Sequence, residues 1–241
     1  MESSGANVYL AGAGPGGADL LTLKTLRLLE RADIILHDSL VGADVLRLAN
    51  PAASLIDVGK RCGGKAHPQA EICRLLVEAA QTGAMVLRLK GGDPMIFGRA
   101  TEEMAALRAA GIAFEVVPGV TAAAAAAAAL ATSLTMRDVS RAVHLLAAHG
   151  SDGGLPPHDW AALARAGGTF AVYMGVRTLP VLAANLLAAG IAADMPAAAV
   201  ENIALPNQRL WRATLAALPG LLAAAAPAGP VLLLIGEALR E

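Results

Sequence analysis

Cysteine is almost missing from this 241-residue chain, which holds only Cys62 and Cys73. Two thiols cannot staple a small scaffold, and their spacing fits no zinc knuckle. They read as unpaired thiols of a reducing compartment, and no metal site is expected. An excess of either charge is also missing: 19 basic residues against 20 acidic ones leave a net charge of −1. Without a global basic field, nucleic acid is not an expected partner, and any anionic ligand has to be met by a local cluster. Long apolar runs are absent. The longest, residues 122–131, is nearly all alanine and falls short of the about 20 apolar residues of a membrane-spanning helix. The apolar stretch near the C-terminus is broken by Pro227, Gly229 and Pro230. The opening MESSGANVYL has neither the basic start nor the apolar core of a secretory signal. No membrane is expected, and the cytoplasm is the expected compartment.

What is present is alanine. Hydrophobic residues make up 56 % of the chain, yet aromatics only 3 %, so the core has to be built from thin side chains that let helices pack closely. The length suffices for two modest α/β domains, each with its own core. Strands are expected at 8–11, 32–37, 54–58, 85–89 and 114–117, separated by helices at 19–31, 43–49, 69–82 and 101–110. Strands alternating with helices at this spacing predict a largely parallel sheet covered on both faces. Pro118-Gly119 interrupts the pattern. Beyond it, an alanine-rich helix at 120–131 and strands at 143–147, 169–174, 197–200 and 231–235 predict a second sheet. The expected domains are therefore 1–118 and 119–241, with the ligand site in a cleft between them.

Three glycine-bearing loops follow predicted strands, where ligands bind in open parallel sheets. Gly12, Gly14 and Gly17 form G-x-G-x-x-G, and Asp38 ends the next strand. This nearly matches a dinucleotide fingerprint, so an NAD-dependent oxidoreductase is one reading. Against it, Pro15 stiffens the turn, and the helix signal restarts only at Asp19. The second loop, Lys90 to Arg99, carries Gly91-Gly92-Asp93-Pro94, which opens backbone to a ligand and then fixes a turn. The third gathers Lys60, Arg61, Lys65 and His67. Such a run is usually a solvated face, but the neighbouring glycines and Pro68 shape it, and it could hold carboxylates or phosphates.

Taken together, the segments GAGPGGADLLTLKTLRLLERADIILHDSLV, VGKR, GGDPMIFGR, VPGVTA, YMG and VENIALPNQR resemble the tetrapyrrole methylase family, in order and over nearly the whole chain. The resemblance implies two α/β domains with S-adenosylmethionine bound in the cleft between them, in a homodimer. It implies two methylations of ring carbons that convert uroporphyrinogen III to precorrin-2, on the way to sirohaem or cobalamin, with S-adenosylhomocysteine as by-product. By the same resemblance Asp38 matches a proton acceptor and Lys60 a proton donor. Pro15, Gly91, Gly92, Asp93, Ile96, Thr121, Ala122, Met174 and Ile203 match cofactor-binding positions. Arg99, Glu102 and Met174 match positions that hold the tetrapyrrole, and the positive charge of Arg61, with that of Lys60 and Arg99, is expected to offset the carboxylates of such a substrate. Met136 stands where the family usually has His, and Ser133 where it has Pro. The alternatives are a family member that methylates a later precorrin, the NAD-dependent oxidoreductase, and a tetrapyrrole carrier without catalysis.

Overall fold

A computed structural model describes residues 6–59, 67–150 and 152–240. The chain divides into two compact units, Met1–Ala122 and Ala123–Glu241, so the division falls a few residues after Pro118.

In the first unit five strands, β1 (Val8–Gly12), β2 (Ile34–His37), β3 (Ser54–Asp57), β4 (Val86–Lys90) and β5 (Phe114–Val117), pair in the order β3-β2-β4-β1-β5. Every pairing is parallel, as expected of strands joined by helical crossovers. The helices are α1 (Leu23–Leu29), α2 (Ala43–Leu46), α3 (Gln69–Gln81) and α4 (Ala100–Ala109). Side chains alternate across a strand, and the core divides accordingly. Val8, Leu10, Leu36 and Val86 pack with Ile72 and Leu76 of α3 and with Met104 and Leu107 of α4. Ala11, Ile35, Leu87 and Leu89 pack instead with Leu28 and Leu29 of α1 and with Val45 of α2. Strand β4 is buried along its whole length, although it includes Arg88 and Lys90. Both share the Val86 face, which looks toward α3 and α4.

The predicted helix over 19–31 is split. A short 3-10 turn at Ala18–Leu20 precedes α1, whose N-cap Thr22 accepts a hydrogen bond from the Thr25 amide at 3.1 Å. A threonine oxygen offered to the first turn outcompetes continuation of the upstream turn.

Helix α5 (Ala122–Ala129) starts on the last residue of the first unit, and the second unit continues through β6 (Val143–Ala147), α6 (Trp160–Ala166), β7 (Thr169–Tyr173), α7 (Leu179–Ala188), β8 (Pro196–Glu201), β9 (Arg209–Thr214), α8 (Leu218–Ala225) and β10 (Val231–Ile235). Its sheet, in the order β6-β7-β10-β8-β9, is mixed: β6 and β7 are parallel and the other pairs antiparallel. Leu179, Leu182 and Leu186 of α7 and Leu218 and Leu222 of α8 bury one face of it against Phe170, Val172, Leu233 and Ile235. Edge strand β9 was not expected, because its polar sequence RLWRAT carries no apolar run. Its partner β8 supplies the pattern, with Glu201 opposite Arg209. No helix among the described residues is long and apolar enough to cross a membrane.

Candidate active site

The glycine-bearing loops after β1 and β4 leave the parallel sheet at its C-terminal edge. After β1 and β4 the backbones continue to pair beyond the strands. The Ala13 amide donates to the Lys90 carbonyl at 2.7 Å, and Gly14 and Gly92 exchange amide–carbonyl bonds of 3.2 and 2.7 Å. Amides that a dinucleotide's pyrophosphate would need are therefore already used. The segment that follows is a single 3-10 turn rather than a helix end pointing at the loop, so the fingerprint lacks its anion site. Pro15 sits half-buried in the bend after Gly14.

Gly12, Gly92 and Gly119 meet where the edge is narrowest. A Cβ on Gly119 would lie 2.3 Å from the Gly92 carbonyl oxygen and 2.8 Å from the Gly12 Cα, and one on Gly12 would lie 2.5 Å from that same oxygen. Backbone approaches this close exclude every side chain. Gly92 also has φ +67°, and a Cβ there would meet nothing within 4 Å. The Cα of Gly92 thus faces open space, while its amide and carbonyl are bonded to Gly14. Asp93 ties the arrangement together: Oδ1 accepts from the Met95 amide at 2.8 Å and Oδ2 from the Gly119 amide at 3.0 Å. Its carboxylate holds the loops after β4 and β5 in register.

The rest of the loop is strained. Phe97 and Arg99 adopt left-handed backbone conformations (φ 52° and 55°), which cost residues with a Cβ roughly 1–3 kcal/mol each and cluster at functional sites. Ile96 is half-buried, whereas Met95 and Phe97 are exposed. Arg99 and Glu102, at the start of α4, pair with each other at 2.7 Å, with 60 % and 46 % of their side chains exposed. Thr121 and Ala122, at the end of the first unit, are half-buried.

In the second unit the same strain recurs after two strands. Met174, after β7, has φ 57° and is 50 % exposed. Asn202 and Ala204, after β8, have φ 49° and 58° and flank Ile203, whose side chain is buried. The Gln208 side chain accepts from the Ala204 amide at 2.8 Å and holds this turn.

Asp38 follows β2, its amide donating to the Leu89 carbonyl at 3.1 Å. Its carboxylate Oδ1 accepts from Arg88 Nη2 at 2.5 Å and its side chain stays 30 % exposed. Arg88 itself is 1 % exposed and leads to buried Glu103 and Lys90. Burial, and then the charge of Arg88, push the Lys90 ammonium below its ordinary value. Arg88, Lys90, Glu103 and Gly119 were not among the residues expected from sequence. The signal was present, since two charges two positions apart inside the apolar strand VLRLK have to share one buried face. Lys60 and Arg61 lie outside the described residues.

The described residues thus form a two-sheet α/β fold in which close-packed glycines at one end of the parallel sheet lie near a carboxylate held by a buried arginine. The chain belongs to the Tetrapyrrole (Corrin/Porphyrin) Methylases, whose sequence model matches residues 7–219. It is 48 % identical to the siroheme synthase of Chromobacterium violaceum over 97 % of this chain and 49 % of that protein. It is 47 % identical to the uroporphyrinogen-III C-methyltransferase of Pseudomonas aeruginosa, over 97 % of this chain and 94 % of that protein. The crystal structure of the uroporphyrin-III C-methyl transferase of Thermus thermophilus, complexed with S-adenyl homocysteine, superposes with a TM-score of 0.82 at 39 % identity, covering 97 % of this chain and 98 % of that one. The chain spans about half the length of the first curated relatives it matches, all named siroheme synthase.

Proposed function

We propose that this protein transfers methyl groups from S-adenosylmethionine to ring carbons of uroporphyrinogen III, forming precorrin-2 for sirohaem or cobalamin synthesis. The observation that carries this reading is near full-length similarity to the Pseudomonas aeruginosa uroporphyrinogen-III C-methyltransferase, 47 % identical over 94 % of its length. The open space beside the Gly92 Cα and the likeness to a structure holding S-adenyl homocysteine support S-adenosylmethionine as the methyl donor.

When bound, the sulfonium would supply an activated methyl group to an electron-rich pyrrole carbon. What the protein has to add is alignment of carbon, methyl and sulfur. Pro15, Gly91, Gly92, Asp93 and Ile96, with Thr121 and Ala122, are the proposed cofactor residues of the first unit. Met174 and the backbone of Ile203 are those of the second. After transfer the ring is cationic and has to lose a proton. Asp38 is the proposed acceptor, partly exposed yet fixed by Arg88, and Lys60 the proposed donor. The substrate is a polycarboxylate, and Arg61 and Arg99, with Glu102 and Met174, are proposed to hold it. A homodimer in the cytoplasm, with no nucleic-acid or membrane partner, completes the proposal.

Incubation with uroporphyrinogen III and methyl-labelled S-adenosylmethionine, followed by mass analysis, tests this reading. Two labelled methyl groups on the ring are expected. An unlabelled ring, or label only on a later precorrin, would overturn it.

A further inference from the structure

The proposed proton acceptor, Asp38, is held by a side chain of the neighbouring strand β4. Its Oδ1 is bound to Arg88 Nη2, and the remaining nitrogens of that guanidinium are engaged as well. Nη1 donates to the carbonyls of Leu89 at 3.1 Å and Leu36 at 3.4 Å, and Nε donates to Glu103 Oε1 at 2.9 Å. A planar fork bound on three sides has a single orientation. The same Glu103 oxygen also accepts from Lys90 Nζ at 3.1 Å and from Gln69 Nε2 at 3.3 Å. Three donors therefore converge on one oxygen of a carboxylate with no solvent exposure, while Oε2 has no hydrogen-bond partner among the described residues. Ion pairing for stability alone would be better served by spreading donors over both oxygens, because a buried oxygen without a partner is costly. The pull toward one oxygen instead draws Arg88 and Lys90 to the same point beneath the sheet edge.

We infer that Glu103 is a positioning residue: it anchors the Arg88 guanidinium, with Lys90 as counter-charge, so that Arg88 presents Asp38 in one fixed rotamer to the ligand. The functional consequence rests on the reading of Asp38 as proton acceptor, whereas the relay itself rests on geometry alone. Two cations, Arg88 and Lys90, balance two anions, Asp38 and Glu103, and only Asp38 reaches the surface. Glu103 stands in the first turn of α4, so the relay also couples the orientation of Asp38 to the helix that carries Glu102 and follows Arg99.

The test uses Glu103→Gln and the paired change Lys90→Met with Glu103→Leu. The paired change removes one charge of each sign, leaves the net charge of the buried cluster unchanged, and so retains the fold if the single change does not. Crystal structures of both should show Arg88 drawn away from Asp38, or Asp38 spread over several rotamers. An Asp38 still held by Arg88 in its original rotamer in both would overturn the relay, whatever the protein's substrate. In turnover with uroporphyrinogen III, each variant should lose at least about tenfold in kcat, as is usual for residues that orient a functional group, with KM and S-adenosylhomocysteine affinity within about threefold. Combined with Asp38→Asn, neither should lower kcat further, because the two act as a unit. Additive losses, or unaltered kcat in the single variants beside an inactive Asp38→Asn, would refute the positioning role while leaving Asp38 as acceptor. Full turnover by Asp38→Asn would instead refute the acceptor, leaving the crystal structures to judge the relay.

Discussion

At the scale of single residues the site pairs exposed ions with buried ones, and the two behave differently. The Arg99–Glu102 pair is about half in water, where such pairs contribute about 0–1 kcal/mol and break easily. Arg99 can therefore leave Glu102 for a substrate carboxylate at little cost. Arg99→Ala should raise KM for the tetrapyrrole by roughly ten- to a hundredfold, the range of a lost charged hydrogen bond, with an unchanged melting temperature. Steady-state kinetics beside thermal melts would show it. Glu201 is the opposite case: its side chain is 1 % exposed. Arg209 at 2.5 Å, with help from the Gly229 amide at 2.6 Å, holds its carboxyl below the usual carboxylate range. A depressed folded value means that this stabilisation is present above the ordinary glutamate value of 4.5 and disappears as pH falls through the folded value. Glu201→Gln should melt well below the parent protein at pH 7, and the gap should close as melts are taken toward pH 3.

At the scale of elements, loops after three adjacent strands are held by their backbones. Gly119→Ala places a methyl 2.3 Å from the Gly92 carbonyl, and neither strand end can retreat without breaking the Asp93 bridge. Overpacking of this kind costs typically about 1–3 kcal/mol, and here the displaced backbone is also the proposed cofactor surface. Titration calorimetry should show S-adenosylhomocysteine no longer binding, and melts should show the fold weakened. Gly220 in α8 is the contrast, because a Cβ there meets nothing within 4 Å. Gly220→Ala should stabilise by roughly 0.5–1 kcal/mol, since alanine favours helix and loses less chain entropy on folding. Elements built from periodic apolar residues were legible in advance: α3, α4, β5, β6 and β10 fall within a residue of expectation. The edge strand β9 was not, because it pairs through its backbone and buries little of its own.

At the scale of the whole molecule, two units with separate cores each bring strained turns to the ends of strands, Phe97 and Arg99 in one and Met174, Asn202 and Ala204 in the other. A ligand that binds only the folded chain stabilises it by about 2.7 kcal/mol at a hundred times its Kd, worth roughly 5–10 °C in a chain this long. S-adenosylhomocysteine at that excess should raise the melting temperature by this amount, and NAD should leave it unmoved, because the amides of Ala13 and Gly14 are already bonded within the sheet edge. A shift with NAD instead would restore the dinucleotide reading.

Sequence alone determined the alternation of strand and helix, the two-sheet α/β class and the identity of the glycine-bearing loops, because these depend on residues close along the chain: periodicity, turn chemistry and short motifs. The tertiary structure alone decided what those loops do with their hydrogen bonds. That Gly12 needs Gly119 bare, that Asp93 reaches the amide of Gly119, and that Asp38 is held by Arg88 and through it by Glu103 are relations between residues far apart in sequence. Burial turns those charges from solvated surface into a fixed framework, and burial is a property of the packed sheet and helices rather than of any local run of residues.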